Sequence, residues 1–426
     1  MRAAPAGRSF DPILIGSNVP LYTMQVTTSA TEQVSQRQAV TLKRPYVVLL
    51  AGIVIGFNLV TLILVQANNA NCQKGDFKMF YAAAVALKAG HSADLYNPDY
   101  YLNFQSQLLP SLPLTEIRVY THPPYELLVF WPLAYLPYTV ACYGWIAITL
   151  LLAIVCARLL SGYAAVLGLF PLLVALLQQQ DSVLTLLILT GCWLALSKGR
   201  NDWAGFLLGL ALFRFQFVLP LALILMFWKP RLLKGFALAA ALVAALSFAL
   251  VGSAGLRSYV NYMSSMAHAS SAAVNEHGYT VDPRTFPSLR GLAYEVAGGG
   301  GGQSASPAVK RILPAALGLL ELLGLVFAWR FMRSDAPGEI KFAFAVLGGL
   351  LLSPYLLMHD LVLLAIPFTL LPEGRARWAL LPFYVAPFIY WFYPHSQAWL
   401  ALLLVAGCWL TAFPNPETST VYDARS

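Results

Sequence analysis

Residues Lys198–Lys234 read KGRNDWAGFLLGLALFRFQFVLPLALILMFWKPRLLK, and the two ends of this stretch decide the fold. Inside it, two apolar runs, 203–213 and 217–228, are separated by Arg214-Phe215-Gln216. A perpendicular helix needs about 20 residues to cross hydrocarbon, so neither run spans alone. Joined as one crossing helix, they would leave one of the two basic ends outside. A hairpin keeps Lys198 and Arg200 on the same side as Lys229, Arg231 and Lys234, which is the cytoplasmic side by the positive-inside rule. At 1.5 Å per residue each arm rises roughly 16–18 Å. Arg214 and Gln216 are therefore expected near mid-membrane, at the floor of a water-filled cavity, because non-helical backbone at that depth needs protein or water around it.

Working outward, the same alternation repeats. Eleven of the 27 Lys and Arg fall in five short loops, at Arg158, at Lys198 and Arg200, at Lys229, Arg231 and Lys234, at Arg330, Arg333 and Lys341, and at Arg375 and Arg377. The hairpin tips between them are polar: Gln178-Gln179-Gln180-Asp181, Arg214-Phe215-Gln216, Met358-His359-Asp360 and Tyr393-Pro394-His395-Ser396. Apolar segments run at about 46–66, 138–157, 162–177, 182–197, 203–213, 217–228, 235–252, 312–329, 342–357, 361–372, 378–392 and 397–413. The pattern predicts an all-α, polytopic transmembrane bundle of about 12 membrane segments over residues 44–413. Two long loops, about 67–137 and 253–311, face the outer side. A Ser-, Thr- and Gln-rich tail, 1–43, and a short tail, 414–426, are expected in the cytoplasm, and the first lacks the pattern of a cleaved signal peptide.

Composition agrees. Hydrophobic residues make up 58%, charged residues 11%, and mean hydropathy is +0.65. Soluble domains carry about 25% charged residues, so a large soluble core is excluded. The net charge of +8 belongs to membrane loops and is no nucleic-acid signal. No dinucleotide or Walker motif is present, and the glycines of 298–302 follow no strand and have no Lys-Ser/Thr partner, so they read as a hinge. Of the five cysteines only Cys72 lies in a loop, and neither a disulfide framework nor a metal-ligand spacing follows.

In the first long loop, Phe77, Phe80, Tyr81, Ala84 and Leu87 form one apolar stripe on a helix beginning after Asp76 and ending at Gly90. A second short helix follows Asn97-Pro98. Both are expected to be amphipathic and to lie along the membrane surface. Then comes Tyr120-Thr121-His122-Pro123-Pro124-Tyr125, whose prolines fix an extended entry into the next apolar stretch.

Here the chain resembles a known family. Gly75-Asp76-Phe77, Tyr81, Ala82-Ala83, Gly90, Leu95-Tyr96 and Pro98 are similar to the N-terminal signature of glycosyltransferase family 87. Pro123-Pro124 with Phe130-Trp131-Pro132-Leu133 resembles its next block, and Leu351-Leu352-Ser353-Pro354 with His359 its Ser-Pro…His block. Gln178–Asp181 and Arg214-Phe215-Gln216 lie where the family carries Gly-Gln-x-Asn-like and Lys-Pro-Gln-like blocks, with the Gly, Asn, Lys and Pro absent. The resemblance covers roughly residues 46–372. It implies a GT-C-type membrane enzyme that takes a sugar, mannose by the family's habit, from a polyprenyl phosphate and gives it to a lipid or glycan acceptor.

That chemistry selects the candidate residues. Asp76 is the expected general base for the acceptor hydroxyl, with helix capping as its ordinary alternative. Arg214 is expected to grip the donor phosphate, with a structural pair to Asp181 or Asp360 as the alternative. His359 can donate to phosphate or orient a carboxylate. Gln180, Asp181, Gln216 and Asp360 complete the expected substrate-binding set. No cofactor is expected; Asp76, Asp181, His359 and Asp360 are possible ligands of a divalent ion, but no spacing demands one. The expected partners are donor, acceptor and membrane lipid, with the active site on the outer face of the cell membrane. The rival class is a lipid or solute transporter, which the short 203–228 hairpin also fits. The gathering of polar residues at one face and the absence of an internal repeat favour the enzyme.

Overall fold

The computed structural model describes residues 45–68, 72, 75–110, 119–268, 282–298, 307–372 and 374–413. Both expected tails, and most of the 298–302 glycine run, lie outside the described residues. Contacts divide the chain into Met1–Leu50 and Ala51–Ser426, and everything below concerns the second unit. Among the described residues there is no strand.

The principal helices are α1 (Pro45–Asn68), α2 (Phe77–Lys88), α3 (Pro98–Leu108), α4 (Tyr138–Leu159), α5 (Phe170–Leu177), α6 (Ser182–Ser197), α7 (Asn201–Leu210), α8 (Phe215–Trp228), α9 (Leu232–His268), α10 (Leu289–Ala297), α11 (Pro307–Met332), α12 (Gly338–Leu351) and α13 (Leu400–Ala412). Among the described residues, five helical stretches are long and apolar enough to cross a membrane: Ala51–Asn68, Tyr138–Leu159, Asn201–Trp228, Leu232–Ser265 and Arg311–Met332. Shorter apolar helices cover Ser182–Ser197, Met358–Leu370 and Ser396–Ala412. Where twelve segments are expected, the described residues show these five long stretches and the shorter apolar helices, some of them broken. The run 162–177, for example, splits into Tyr163–Leu167 and α5 around Gly168 and Leu169.

The stretch Asn201–Trp228 doubles back. A 3-10 turn, Ala211–Arg214, follows α7, and Arg214 leaves helical geometry at φ −109°, ψ 46°. A Cβ on Gly205 would lie 2.0 Å from Leu232 O, one on Gly235 1.8 Å from Asp202 O, and one on Gly209 2.6 Å from Ala239 Cβ. So α7 runs parallel to the start of α9, and glycines let the two backbones touch. A straight 28-residue helix would carry Trp228 about 40 Å from Asn201, too far for the few residues joining Trp228 to Gly235. The two arms must therefore return to the same end.

That end collects the basic loops. A Cβ on Gly338 would meet the Trp228 ring, and Lys229 and Lys341 both approach that ring. Helices α4 and α6 run parallel, because Trp145 Nε1 donates to Gln179 O and Cys156 bonds Thr190, which puts Arg158 and Lys198 toward the same end. Gly162 faces Thr369, six residues before Arg375, and Arg377 covers the Phe368 ring. From this basic end, α6 rises about 24 Å and α8 and α12 about 21 Å. Their other ends meet at the polar tips.

Two features of the first loop differ from expectation. Helix α2 does not lie on a surface: Phe77, Lys78, Met79, Phe80, Tyr81, Ala82, Ala83, Ala84, Ala86 and Leu87 are all buried. Its alanines admit close neighbours where larger side chains would hold them off, and Phe80 stacks on Phe130 with ring centroids 4.5 Å apart. The apolar stripe was legible; the small residues on the remaining faces were the sign of burial all round. The second difference is a disulfide. Cys72 and Cys142 are bonded across 70 residues, with Cα atoms 6.4 Å apart. The link ties the segment before Asp76 to the second turn of α4. Cys142 had been placed among the membrane cysteines because its neighbours are apolar.

Candidate active site

The polar tips converge on Arg214. After α5 the chain turns through a Schellman motif: Gln180 N donates to Ala175 O, Gln179 N to Leu176 O, and Gln179 takes the left-handed conformation, φ 55°. This turn presents Gln178, Gln180 and Asp181 to the neighbouring elements. Asp76 N donates to Gln178 O at 2.8 Å. Gly75 makes the approach possible, since its φ is +108° and a Cβ there would fall 2.4 Å from Gln179 Oε1.

Asp76 occupies the N-cap position of α2 but makes no side-chain cap bond. Its Oδ2 instead accepts from Gln180 Nε2. Gln180 Oε1 accepts from Arg214 Nη2 at 2.8 Å. Arg214 also grips Asp181, through Nε at 3.1 Å to Oδ2 and through Nη2 to Oδ1. Its Nη1 lies 3.5 Å from Asp360 Oδ1. Asp360 is further held by Ser182 Oγ at 2.9 Å and by Leu357 N at 3.1 Å. His359 Nδ1 is 2.7 Å from Gln178 Oε1. With that amide oxygen as acceptor, Nδ1 carries the proton, and the buried Nε2 has no hydrogen-bond partner. The neutral ring then offers Nε2 as an acceptor; donating to phosphate from that atom requires a second proton.

The structure thus joins Asp76, Gln180, Asp181, Arg214, His359 and Asp360 in one network. Arg214 is only 3% exposed, and Asp181 and Asp360 are fully buried. The pairing of Arg214 with Asp181 and Asp360, the ordinary alternative, is realised, through Nε and Nη2 to Asp181 and through Nη1 toward Asp360. Gln216 stands apart: it is half-buried at the start of α8 and makes no hydrogen bond to the network among the described residues.

Two residues of the site escaped the sequence reading. His122 and Glu126 flank Pro123-Pro124, and the 3-10 turn Pro124–Glu126 brings them together. His122 Nδ1 is 2.8 Å from Glu126 Oε2 and 3.7 Å from Asp181 Oδ2. The shorter distance lacks hydrogen-bond alignment, and Nδ1 has no hydrogen-bond partner. Tyr120 OH donates to Glu126 Oε2 at 3.0 Å, while Glu126 Oε1 has no partner. Tyr96 OH fixes the turn by donating to His122 O at 2.7 Å. Burial, and then the Arg214 charge, hold the His122 imidazole well below its ordinary pKa. Burial pushes the Glu126 carboxyl upward against the pull of Arg214. One atom from each of His122, Glu126 and Asp181 lies within 4.8 Å of the others, a set with the donor types to hold a metal ion. The four-residue spacing of His122 and Glu126 was the available signal, hidden by the prolines between them.

Chemically, the arrangement sets a carboxylate, Asp76, beside a clamped guanidinium and a ring of donors and acceptors, at the end of the bundle away from the basic loops. The family model for glycosyltransferase family 87 matches residues 120–354, more than half of the chain. Those residues include every member of the network except Asp76, which precedes them, and His359 and Asp360, which follow. No curated protein and no solved structure matches the chain. With the apolar helices and the family match together, the chain belongs to glycosyltransferase family 87 and is a membrane glycosyltransferase.

Proposed function

We propose that this glycosyltransferase moves a single sugar, mannose, from a polyprenyl-phosphate donor to a hydroxyl of a lipid or glycan acceptor, with inversion at the anomeric carbon. Asp76 takes the proton of the acceptor hydroxyl as its oxygen bonds the anomeric carbon. The bond from that carbon to the phosphate oxygen breaks, and the polyprenyl phosphate leaves with the electron pair. A phosphate is already a good leaving group, so one base suffices and a single displacement inverts. The guanidinium of Arg214 attracts the phosphate, with the Nη1 N–H not turned to Asp360 as the donor; Asp181 and Asp360 hold the guanidinium in place; Gln180 links it to Asp76. Gln216 and His359 contact the substrates from the edge of the site.

The observation that carries this reading is the turn of the Asp76 carboxylate away from its own helix and toward Gln180. A residue kept only for capping would spend its oxygens on the α2 amides. The orientation we propose puts the basic loops and both tails in the cytoplasm and the site on the extracytoplasmic side of the cell membrane. Two facts support it: the basic loops gather at one end, which the positive-inside rule assigns to the cytoplasm, and the Cys72–Cys142 bond lies near the site end, where an oxidising compartment would preserve it.

The test is to incubate purified protein with a panel of radiolabelled polyprenyl-phosphate sugars and membrane lipid extract, then determine the product's sugar and anomeric configuration. An α-to-β or β-to-α change relative to the donor is expected. Retention, or transfer only from nucleotide sugars, would overturn the reading.

A further inference from the structure

The electrostatics of the site are incomplete. Three buried carboxylates, Glu126, Asp181 and Asp360, share the guanidinium of Arg214. Beside that guanidinium, His122 Nδ1 and Glu126 Oε1 are buried without a hydrogen-bond partner, next to Asp181. A buried polar atom is costly unless a partner satisfies it, and here that partner must come from outside the chain.

The geometry favours a metal. His122 Nδ1 stands 2.8 Å from Glu126 Oε2 and 3.7 Å from Asp181 Oδ2. Donor atoms bound to one ion at about 2.0–2.2 Å stand about 3 Å from each other. The His122–Glu126 approach has that spacing without the alignment of a hydrogen bond, and both Nδ1 of His122 and Oε1 of Glu126 are buried without a hydrogen-bond partner. Ligands converging on an absent ion need no mutual alignment. We propose that His122, Glu126 and Asp181 bind one divalent cation of the Mn2+ or Zn2+ class. An imidazole with two carboxylates suits those ions, whereas Ca2+ and Mg2+ prefer oxygen alone. Tyr120, donating to Glu126 Oε2, is the outer partner that orients the carboxylate. Arg214 holds Asp181 from its other side. The bound ion adds positive charge beside Arg214 and so favours an anionic phosphate in the cavity. This last consequence rests on the donor proposed above; the metal site itself does not.

The experiment uses full-length protein in detergent, stripped with EDTA and desalted. It is titrated with MnCl2 while free Mn2+ is read by electron paramagnetic resonance, and with ZnCl2 while bound metal is counted by mass spectrometry. One equivalent of either ion per chain is expected. Glu126→Gln and His122→Gln should lose it, and Tyr120→Phe should weaken it by about 10–100-fold. Asp202→Asn, at the basic end, should bind as the parent does. Absence of a stoichiometric ion from the wild-type protein, or parental binding by Glu126→Gln, overturns the proposal. If Glu126→Gln and His122→Gln fail to fold, wild-type stoichiometry and Tyr120→Phe still decide. Transfer assays on the same samples separate this failure from that of the proposed function. Transfer in EDTA without bound metal removes the metal alone; a stoichiometric ion with no transfer from any polyprenyl-phosphate sugar removes the donor reading alone.

Discussion

Replacing Arg214 with alanine should destabilise this protein more than any other single change at the site. The guanidinium is the counter-charge of Asp181, through two hydrogen bonds, and lies 3.5 Å from Asp360. At 3.5 Å and an effective dielectric of about 20, one such attraction is worth about 5 kcal/mol before desolvation is subtracted. The loss is capped by proton uptake, since protonating an ordinary carboxylate of pKa near 3.9 at pH 7 costs about 4 kcal/mol. Breaking a buried pair by removing one partner typically costs about 3–5 kcal/mol, and that range is expected here. The sign of the pH dependence follows. An acid stranded in the folded variant has its pKa raised above the unfolded value, so the penalty is largest at neutral pH and shrinks as pH falls toward 5. Asp181→Asn in the same background should restore part of the loss, but not all, because Asp360 stays unpaired. The assay is equilibrium or pulse-proteolysis unfolding in mild detergent for the two single variants and the double variant, at pH 7.5 and pH 5.5. A loss below about 1 kcal/mol for Arg214→Ala, or additive effects in the double variant, would refute the view that this guanidinium holds the acids together.

The remaining predictions concern chemistry, backbone and orientation. Asp76→Asn keeps an acceptor for Gln180 and should fold, yet lose about 10²–10⁴-fold in transfer rate, while exposed Asp99→Asn stays near wild type; steady-state transfer assays decide, and the reverse ranking names the wrong carboxylate. Gly75→Ala forces an L-residue to φ +108° against Gln179 and should cost about 1–2 kcal/mol with a fall in transfer; a variant as stable and active as the parent would contradict the close approach. A cysteine replacing Leu233, beside Arg231, should react with an impermeant thiol reagent only from the cytoplasmic side, and one replacing Leu136 only from outside; the opposite result would invert the proposed orientation.

The class of the fold was legible because charge placement acts over whole loops and tolerates error in any one residue. The turning back of Lys198–Lys234 was read from two basic clusters, and the glycines Gly205, Gly209 and Gly235 carry it out by letting α7 and α9 touch. The regularity of the segments was not legible. Gly168 breaks the run 162–177 that hydropathy draws as continuous, and α9 runs on to His268 past the expected end of its segment, through Gly252 at φ 64°. Hydropathy sums over side chains, while these breaks depend on backbone angles and on neighbours far away in sequence. The burial of α2 and the Cys72–Cys142 bond fail for the same reason, since both depend on what the fold brings alongside.

At the site, polar residues in apolar surroundings announced themselves singly, but their division of labour did not follow. Asp181 and Asp360 each pair with Arg214, which the sequence leaves as an alternative beside substrate binding. A tip residue's type tells that it is costly to bury; only geometry tells whether its partner is the ligand or another side chain. His122 and Glu126 illustrate the converse. Each lies in a stretch that reads as a proline-fixed entry to a membrane segment, so neither drew a role. Yet the prolines are what place them: a rigid turn carries the imidazole and the carboxylate to the same face of Asp181. A motif that looks structural can thus be the device that brings ionisable groups together: the turn that the prolines fix sets His122 and Glu126 beside Asp181, a juxtaposition that neither residue's place in the sequence announces.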